Sequence, residues 1–188
     1  DLPPMVGYAR TATIRAKEVS PLKPEASAQI RLDYYKHMEG GAEPGICVIE
    51  DIDDEPGYGA HWGEVQTNIH KGLGCLGVVT NGSVRDIPDS APGFQMLAGE
   101  IGPSHAFVYV VDYGLEVTVA GMTVRPGDLI HADIHGAVVI PSDDVARKIP
   151  AAVDLISRRE AVLIGAAQAD GFNFDKLAEA IKDSGEIH

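Results

Sequence analysis

Residues 76–80, LGVVT, are almost wholly apolar, with no alternation of polar and apolar side chains. That one run narrows the fold more than any other feature. A strand with one wet face alternates; an unbroken run belongs to a strand covered on both faces. Such strands are typical of parallel sheets, whose crossover connections place helices over the faces. The residues just before supply a crossover. EVQTNIHKGL, residues 64–73, reads as a helix in which Val65, Ile69 and Leu73 form a stripe expected to face the core. Upstream, ICVIEDID is a second short buried strand that runs into an acidic loop.

The other segments fit around this strand–helix–strand unit. MVGYARTATIRA reads as an opening strand, and a helix around residues 27–38 ends at GGAEPG. FVYVVDY, LEVTV, DLIHADI and GAVVIP read as strands separated by Gly and Pro turns, notably GMTVRPGD. Ser142-Asp143 provides an N-cap for a helix in which Pro150 implies a kink or a division in two. NFDKLAEAIKDSG forms a last amphipathic helix with Phe174, Leu177 and Ile181 on one face. With no repeat and no linker, the expectation is one α/β domain over residues 1–188, its core at about 6–165 and a C-terminal helical extension at 166–188.

Composition excludes several functions. The net charge is −13, from 28 acidic and 15 basic residues, and such a field repels a phosphate backbone, so no nucleic-acid partner is expected. No apolar run is long enough to span a membrane, and none is expected as a partner. The first residues lack the basic and apolar regions of a signal peptide, and Cys47 and Cys75 sit in apolar stretches as reduced core residues; a cytoplasmic setting is the default.

Chemistry concentrates in residues 63–86. Glu64 opens a helix directly after Gly63, where free backbone N–H groups attract anions. Arg85 and Asp86 follow the next strand, after a turn on Asn81-Gly82, and a strand–helix–strand unit brings such segments to one sheet edge. Arg85 offers a planar fork suited to a carboxylate or an enolate oxygen. Asp86 is a hard oxygen ligand suited to Mg2+ or Mn2+, which take few protein ligands. The N–H groups of Gly63, Glu64, Val65 and Gln66 would face a substrate carboxylate, and Glu64 could move a proton. Taken singly, each is equally at home in a surface ion pair or a helix first turn.

Glu64, twenty intervening residues, then Arg85-Asp86 resembles the acidic-X20-Arg-Asp signature of the RraA-like family of class II pyruvate aldolases. WGE, LGCLGVVTNGSVRD, VRPGDLIHADIHGAVVIP and VGYARTATI are also similar to that family, over roughly residues 6–165. The resemblance implies a layered swivelling β/β/α domain assembled as a homotrimer or homohexamer. It implies a small 2-oxo acid substrate, a divalent metal (Mg2+ or Mn2+) on Asp86, Arg85 stabilising a pyruvate enolate, and Glu64 handling a proton. The activity implied is aldol cleavage, as of 4-hydroxy-4-methyl-2-oxoglutarate, or oxaloacetate decarboxylation. The alternatives are a non-catalytic protein-binding regulator of the RraA type, which has no need of this trio, or a same-fold hydratase or tautomerase.

Elsewhere, His131, Asp133 and His135 alternate as if on one strand face, but they spread over roughly 13 Å, wide for one ion. An interface or structural role is expected for them. His61 and Trp62 either line the pocket or pack under the loop; His70 is expected to be structural, and Asp51, Asp53, Asp54 and Glu55 to form a solvated loop.

Overall fold

The computed structural model describes residues 3–188, and the chain divides into two compact units, residues 1–140 and 141–188. The first is a mixed sheet with helices. Its strands are β1 (Met5–Arg15), β2 (Gly45–Asp51), β3 (Ala60–Trp62), β4 (Cys75–Thr80), β5 (Ser83–Val84), β6 (Gln95–Leu97), β7 (Glu100–Ile101), β8 (Tyr109–Tyr113), β9 (Val117–Val119), β10 (Met122–Val124), β11 (Leu129–Asp133) and β12 (Gly136–Ile140). Two helices, α1 (Pro24–Glu39) and α2 (Glu64–Gly72), lie between them.

The main sheet runs β12-β11-β1-β2-β4-β6. From β1 to β6 neighbouring strands are parallel; β11 and β12 pair antiparallel as a hairpin. The long β1 changes partner along its length, taking β11 at Met5 to Tyr8 and β8 at Ala12 to Arg15, with a register shift at Thr13/Ile14 that curls the sheet. β2 shows why its sequence does not alternate. Cys47 and Ile49 enter one core with Tyr34, Met38 and Trp62, while Ile46 and Val48 enter a second with Met5, Val117 and Ile130. Each face of the central strand is covered, and the apolar run follows from that. A separate parallel sheet, β3-β5-β7, stands beside α2, and β9–β10 form a hairpin.

Arg10, unremarked in the sequence, is buried on β1 and donates to the Met38 carbonyl near the end of α1 and to Leu73 O (2.8 Å) just past α2. A cation at two helix C-termini is favourably placed against both dipoles. Cys47 and Cys75 are free and buried, as expected.

The second unit consists of α3 (Asp143–Gln168) and α4 (Phe174–Gly185), which pack on each other. Both caps form: Ser142 Oγ accepts from Val145 N at 3.3 Å and Asn173 Oδ1 from Lys176 N at 3.0 Å. Pro150 neither breaks nor divides α3, which is continuous around it. No helix among the described residues is long and apolar enough to cross a membrane.

Several expectations are corrected. Of the expected Val65–Ile69–Leu73 stripe, Leu73 packs on the core and Ile69 is half-buried, but Val65 is 60% exposed, and the fully buried positions of α2 are Thr67 and His70. Hydrogen bonding makes this possible: His70 Nδ1 donates to Gln66 O (2.7 Å) while its Nε2 accepts from Tyr34 Oη (2.6 Å). Part of GMTVRPGD is strand, Met122–Val124, paired with β9. Phe174 and Ile181 are exposed, and α4 buries Ala180 and Ser184 instead. Half of the acidic run is internal: Asp53 accepts from Ala16 N (2.7 Å) and Lys17 N (2.8 Å), and Asp51 from Gly57 N (2.8 Å). Burial pushes the Asp51 carboxyl above its ordinary value. His135 lies in the β11–β12 turn rather than on the strand.

Candidate functional site

Parallel pairing of β3 with β5 creates the site. Ala60 sits opposite Ser83 and Trp62 opposite Val84, and Arg85 N donates to Trp62 O at 2.9 Å. Residues 60–64 and 83–86, with α2 and β4 between them in sequence, are thereby held side by side where both strands end. Asn81 fixes the approach of the second strand: its Oδ1 accepts from Asp51 N (2.8 Å) and its Nδ2 donates to Asp51 O (2.9 Å).

Gly63 is the hinge between the two segments. A Cβ there would lie 2.7 Å from Asp86 Oδ2 and 3.1 Å from Arg85 Cγ, so a larger residue would push both side chains aside. Gly63 is also the N-cap of α2 and offers no side chain to its first-turn N–H groups. Thr67 Oγ1 locks the turn from below, donating to Gly63 O (2.9 Å) and accepting from Ala91 N (2.9 Å). Thr67 lies four residues after the cap glycine, a spacing that the sequence displays and that places its hydroxyl on the Gly63 carbonyl.

Arg85 Nη1 lies 3.3 Å from Asp86 Oδ2, with side chains 29% and 37% exposed. Nε of Arg85 is buried and has no acceptor among the described residues. Asp86 adopts a left-handed backbone (φ 50°), which Asp tolerates better than most residues, and its carbonyl accepts from Ser90 Oγ at 3.0 Å. The structure therefore brings Gly63, Arg85 and Asp86 together, with Glu64 adjoining as an exposed carboxylate at the start of α2. Gln66 is less free: its Oε1 accepts from Tyr35 Oη at 3.1 Å.

Behind the pair is an aromatic block. Trp62 is fully buried, its ring 4.6 Å from His70 and stacked on Phe94 at 5.7 Å. His61 is buried too, and loss of hydration, with His70 nearby, pushes its pKa down to about 3. Burial takes His70 to about 4, so both rings are neutral. These contacts give His70 the structural role expected of it and, of the two alternatives for His61 and Trp62, favour packing.

The residues fit a hard divalent cation of the water-rich kind. Asp86 is a partly exposed carboxylate in a cradle that a Cβ at Gly63 would fill, and magnesium needs few protein ligands. No group of three His, Cys, Asp or Glu side chains among the described residues could hold an ion, which argues against a zinc-type cage, including one on His131, Asp133 and His135. Asp133 is instead engaged locally, accepting from His135 N at 2.8 Å. A hollow of about 1150 Å³ opens alongside, with Val84 and Ile87, which flank Arg85-Asp86, in its wall. Its far side comes from the β11–β12 turn, which sequence spacing gave no means of placing there.

The RraA-like model, Aldolase/RraA, matches residues 2–139, and the chain belongs to this family. The family includes both aldolase and decarboxylase enzymes and RraA regulators. The chain is 30% identical over 140 residues to Uncharacterized protein MJ0644 of Methanocaldococcus jannaschii, covering 71% of this chain and 67% of that one. It is 31% identical over 90 residues to Protein DlpA of Legionella pneumophila, 44% of this chain but only 14% of that much longer protein. The fold is similar to that of RraAS2 of Streptomyces coelicolor, an unusual member of the RNase ES inhibitor RraA protein family, with a TM-score of 0.64 and 22% identity over 85% of this chain and 76% of that one. The mixed α/β architecture with C-terminal helices is the family's.

Proposed function

We propose that the chain is a divalent-metal-dependent lyase that cleaves or decarboxylates a 2-oxo acid and releases pyruvate through its enolate. The observation that carries this reading is the Arg85–Asp86 pair packed on Gly63, with Arg85 engaged only through Nη1. A guanidinium whose other donors lack protein acceptors among the described residues is suited to a ligand that supplies them.

In this reading the substrate carboxylate faces the first-turn N–H groups of Gly63, Glu64, Val65 and Gln66, and the keto oxygen faces Arg85. Asp86 holds Mg2+ or Mn2+, which when bound adds positive charge where the enolate develops. Glu64, directly or through water, takes the proton of the cleaved alcohol. Arg85 stabilises the growing negative charge on oxygen, where preorganised donors contribute most to rate. Decarboxylation needs the same enolate, so one site serves both reactions. A homotrimer or homohexamer, as expected of the family, belongs to the same reading.

The test is pyruvate release, coupled to lactate dehydrogenase, from oxaloacetate and 4-hydroxy-4-methyl-2-oxoglutarate. Chelator-sensitive pyruvate is expected, and Asp86→Asn should weaken the affinity for added metal at least about tenfold. Metal affinity unchanged in that variant would remove Asp86 from the assignment. No pyruvate from any 2-oxo acid would favour a binding regulator of the RraA type.

A further inference from the structure

Thr67 makes one contact that a threonine inside a helix does not need. Its hydroxyl donates to Gly63 O at 2.9 Å, with Glu64 O also in reach at 3.1 Å. Such bonding to the preceding turn is common for threonine in helices. The further contact is long-range: the same oxygen accepts from Ala91 N at 2.9 Å. Ala91 is buried, and a buried backbone N–H must find an acceptor. Here the acceptor is a side chain of α2, itself fully buried.

That bond ties the segment carrying Arg85 and Asp86 to residues 62–67 at both of its ends. At one end Arg85 N donates to Trp62 O (2.9 Å); at the other Ala91 N donates to Thr67, which is bonded in turn to Gly63 O. Between the ends the segment is stiffened by its own bonds, Asp89 N and Ser90 Oγ each donating to Asp86 O at 3.0 Å. One turn further along α2, Lys71 Nζ donates to Pro92 O from an exposed position. The gap held in this way is narrow, since a Cβ on Gly63 would lie 2.7 Å from Asp86 Oδ2. A hydroxyl donates to a carbonyl and accepts from an amide at one atom; valine matches threonine in shape and does neither.

We infer that Thr67 is a positioning residue whose hydroxyl sets the distance between the first-turn N–H groups of α2 and the Arg85–Asp86 pair. The inference rests on the lyase reading above and adds the part that fixes the two halves of its site. Being fully buried, Thr67 acts through Gly63 and Ala91 rather than on the substrate. Without the hydroxyl, Ala91 N is left without its acceptor, that end of the segment draws away from α2, and Asp86 shifts against Gly63. Misplacing reacting groups by about 1 Å costs about a hundredfold in rate. Loosening the groups that hold a metal ligand costs about 10–100-fold in metal affinity.

Thr67→Val and Thr67→Ser separate positioning from packing, because serine keeps both bonds and valine keeps only the bulk. The full chain is assayed with Mg2+ and oxaloacetate or 4-hydroxy-4-methyl-2-oxoglutarate, at a temperature where circular dichroism shows each variant folded. Thr67→Val is expected to lose at least about tenfold in kcat, and Thr67→Ser to stay within about threefold of the unaltered chain. Mn2+ affinity, read by electron paramagnetic resonance without substrate, should fall about tenfold in Thr67→Val and recover in Thr67→Ser. Val48→Ala, which thins the second core, controls for lost stability and should leave kcat and Mn2+ affinity as they are. The inference is overturned if Thr67→Val keeps its kcat or its Mn2+ affinity, if Thr67→Ser is as impaired as Thr67→Val, or if Val48→Ala loses as much. No pyruvate from the unaltered chain would overturn the lyase reading instead, and the Mn2+ titration would then decide the role of Thr67. No Mn2+ binding by the unaltered chain would overturn both.

Discussion

The block behind the site and the rim in front of it are built from opposite materials. Behind lie Trp62, His61, His70 and Phe94, packed ring to ring, buried and uncharged. In front lie Glu64, Arg85 and Asp86, charged, partly exposed and lightly bonded. The two share a backbone: Trp62 precedes Gly63 and accepts from Arg85 N. The contrast teaches how a small domain keeps reactive groups in place without tying them up. Precision is set by the neutral block and transmitted through main chain, so the charged side chains need few restraining bonds of their own.

Four measurements would break or sharpen that division. Trp62→Ala should have the largest effect, a loss of about 3–5 kcal/mol of stability, read by denaturant or thermal unfolding. Arg85→Ala should cost about 10²–10³ in kcat for pyruvate release while leaving Tm within about 2 °C. If Arg85→Ala lowered Tm as far as Trp62→Ala does, block and rim would not be separate. Gly63→Ala lies on the boundary: its Cβ would displace Asp86 and Arg85, at about 1–3 kcal/mol, with the loss appearing mainly in turnover. The smallest effect is titration of the block. Unfolded histidines protonate near 6.5, whereas His61 and His70 resist charging until about 3 and about 4. As pH falls below 6.5 the unfolded chain takes up protons that the fold refuses, so stability is complete above that value and declines toward pH 4. His61→Phe should flatten this decline, raising Tm at pH 5 by about 2 °C; an unchanged slope would mean that His61 is not held neutral.

The same division governs what the sequence revealed. Strand positions were legible because burial on both faces leaves an apolar run, as in β2 and β4. The convergence of Gly63 with Arg85-Asp86 was expected from a strand–helix–strand unit at one sheet edge, but β3 and β5, in a sheet separate from β4, are what make it. The inner face of α2 was legible only in part, since polarity pointed to Val65 as well as Ile69 and Leu73, and Val65 is exposed. His70 is inside because two partners, one on α1, satisfy its ring nitrogens, and residue type alone carries no such information. The hollow was equally hidden: its walls come from residues as distant as Val84 and Gly136, joined only by tertiary folding.

One feature of β3 and β5 bears on how such a site can be inherited or rebuilt. Their two short ladder contacts, and the Trp62–Arg85 hydrogen bond, make residues 60–64 and 83–86 one mechanical piece cut in two by the chain. A recombination breakpoint anywhere in residues 65–82 would pair one parent's half with the other's. Chimeras joined there should fold on their intact strands yet misplace Arg85 unless both parents share Gly63, whereas breakpoints outside residues 60–86 carry the whole piece across.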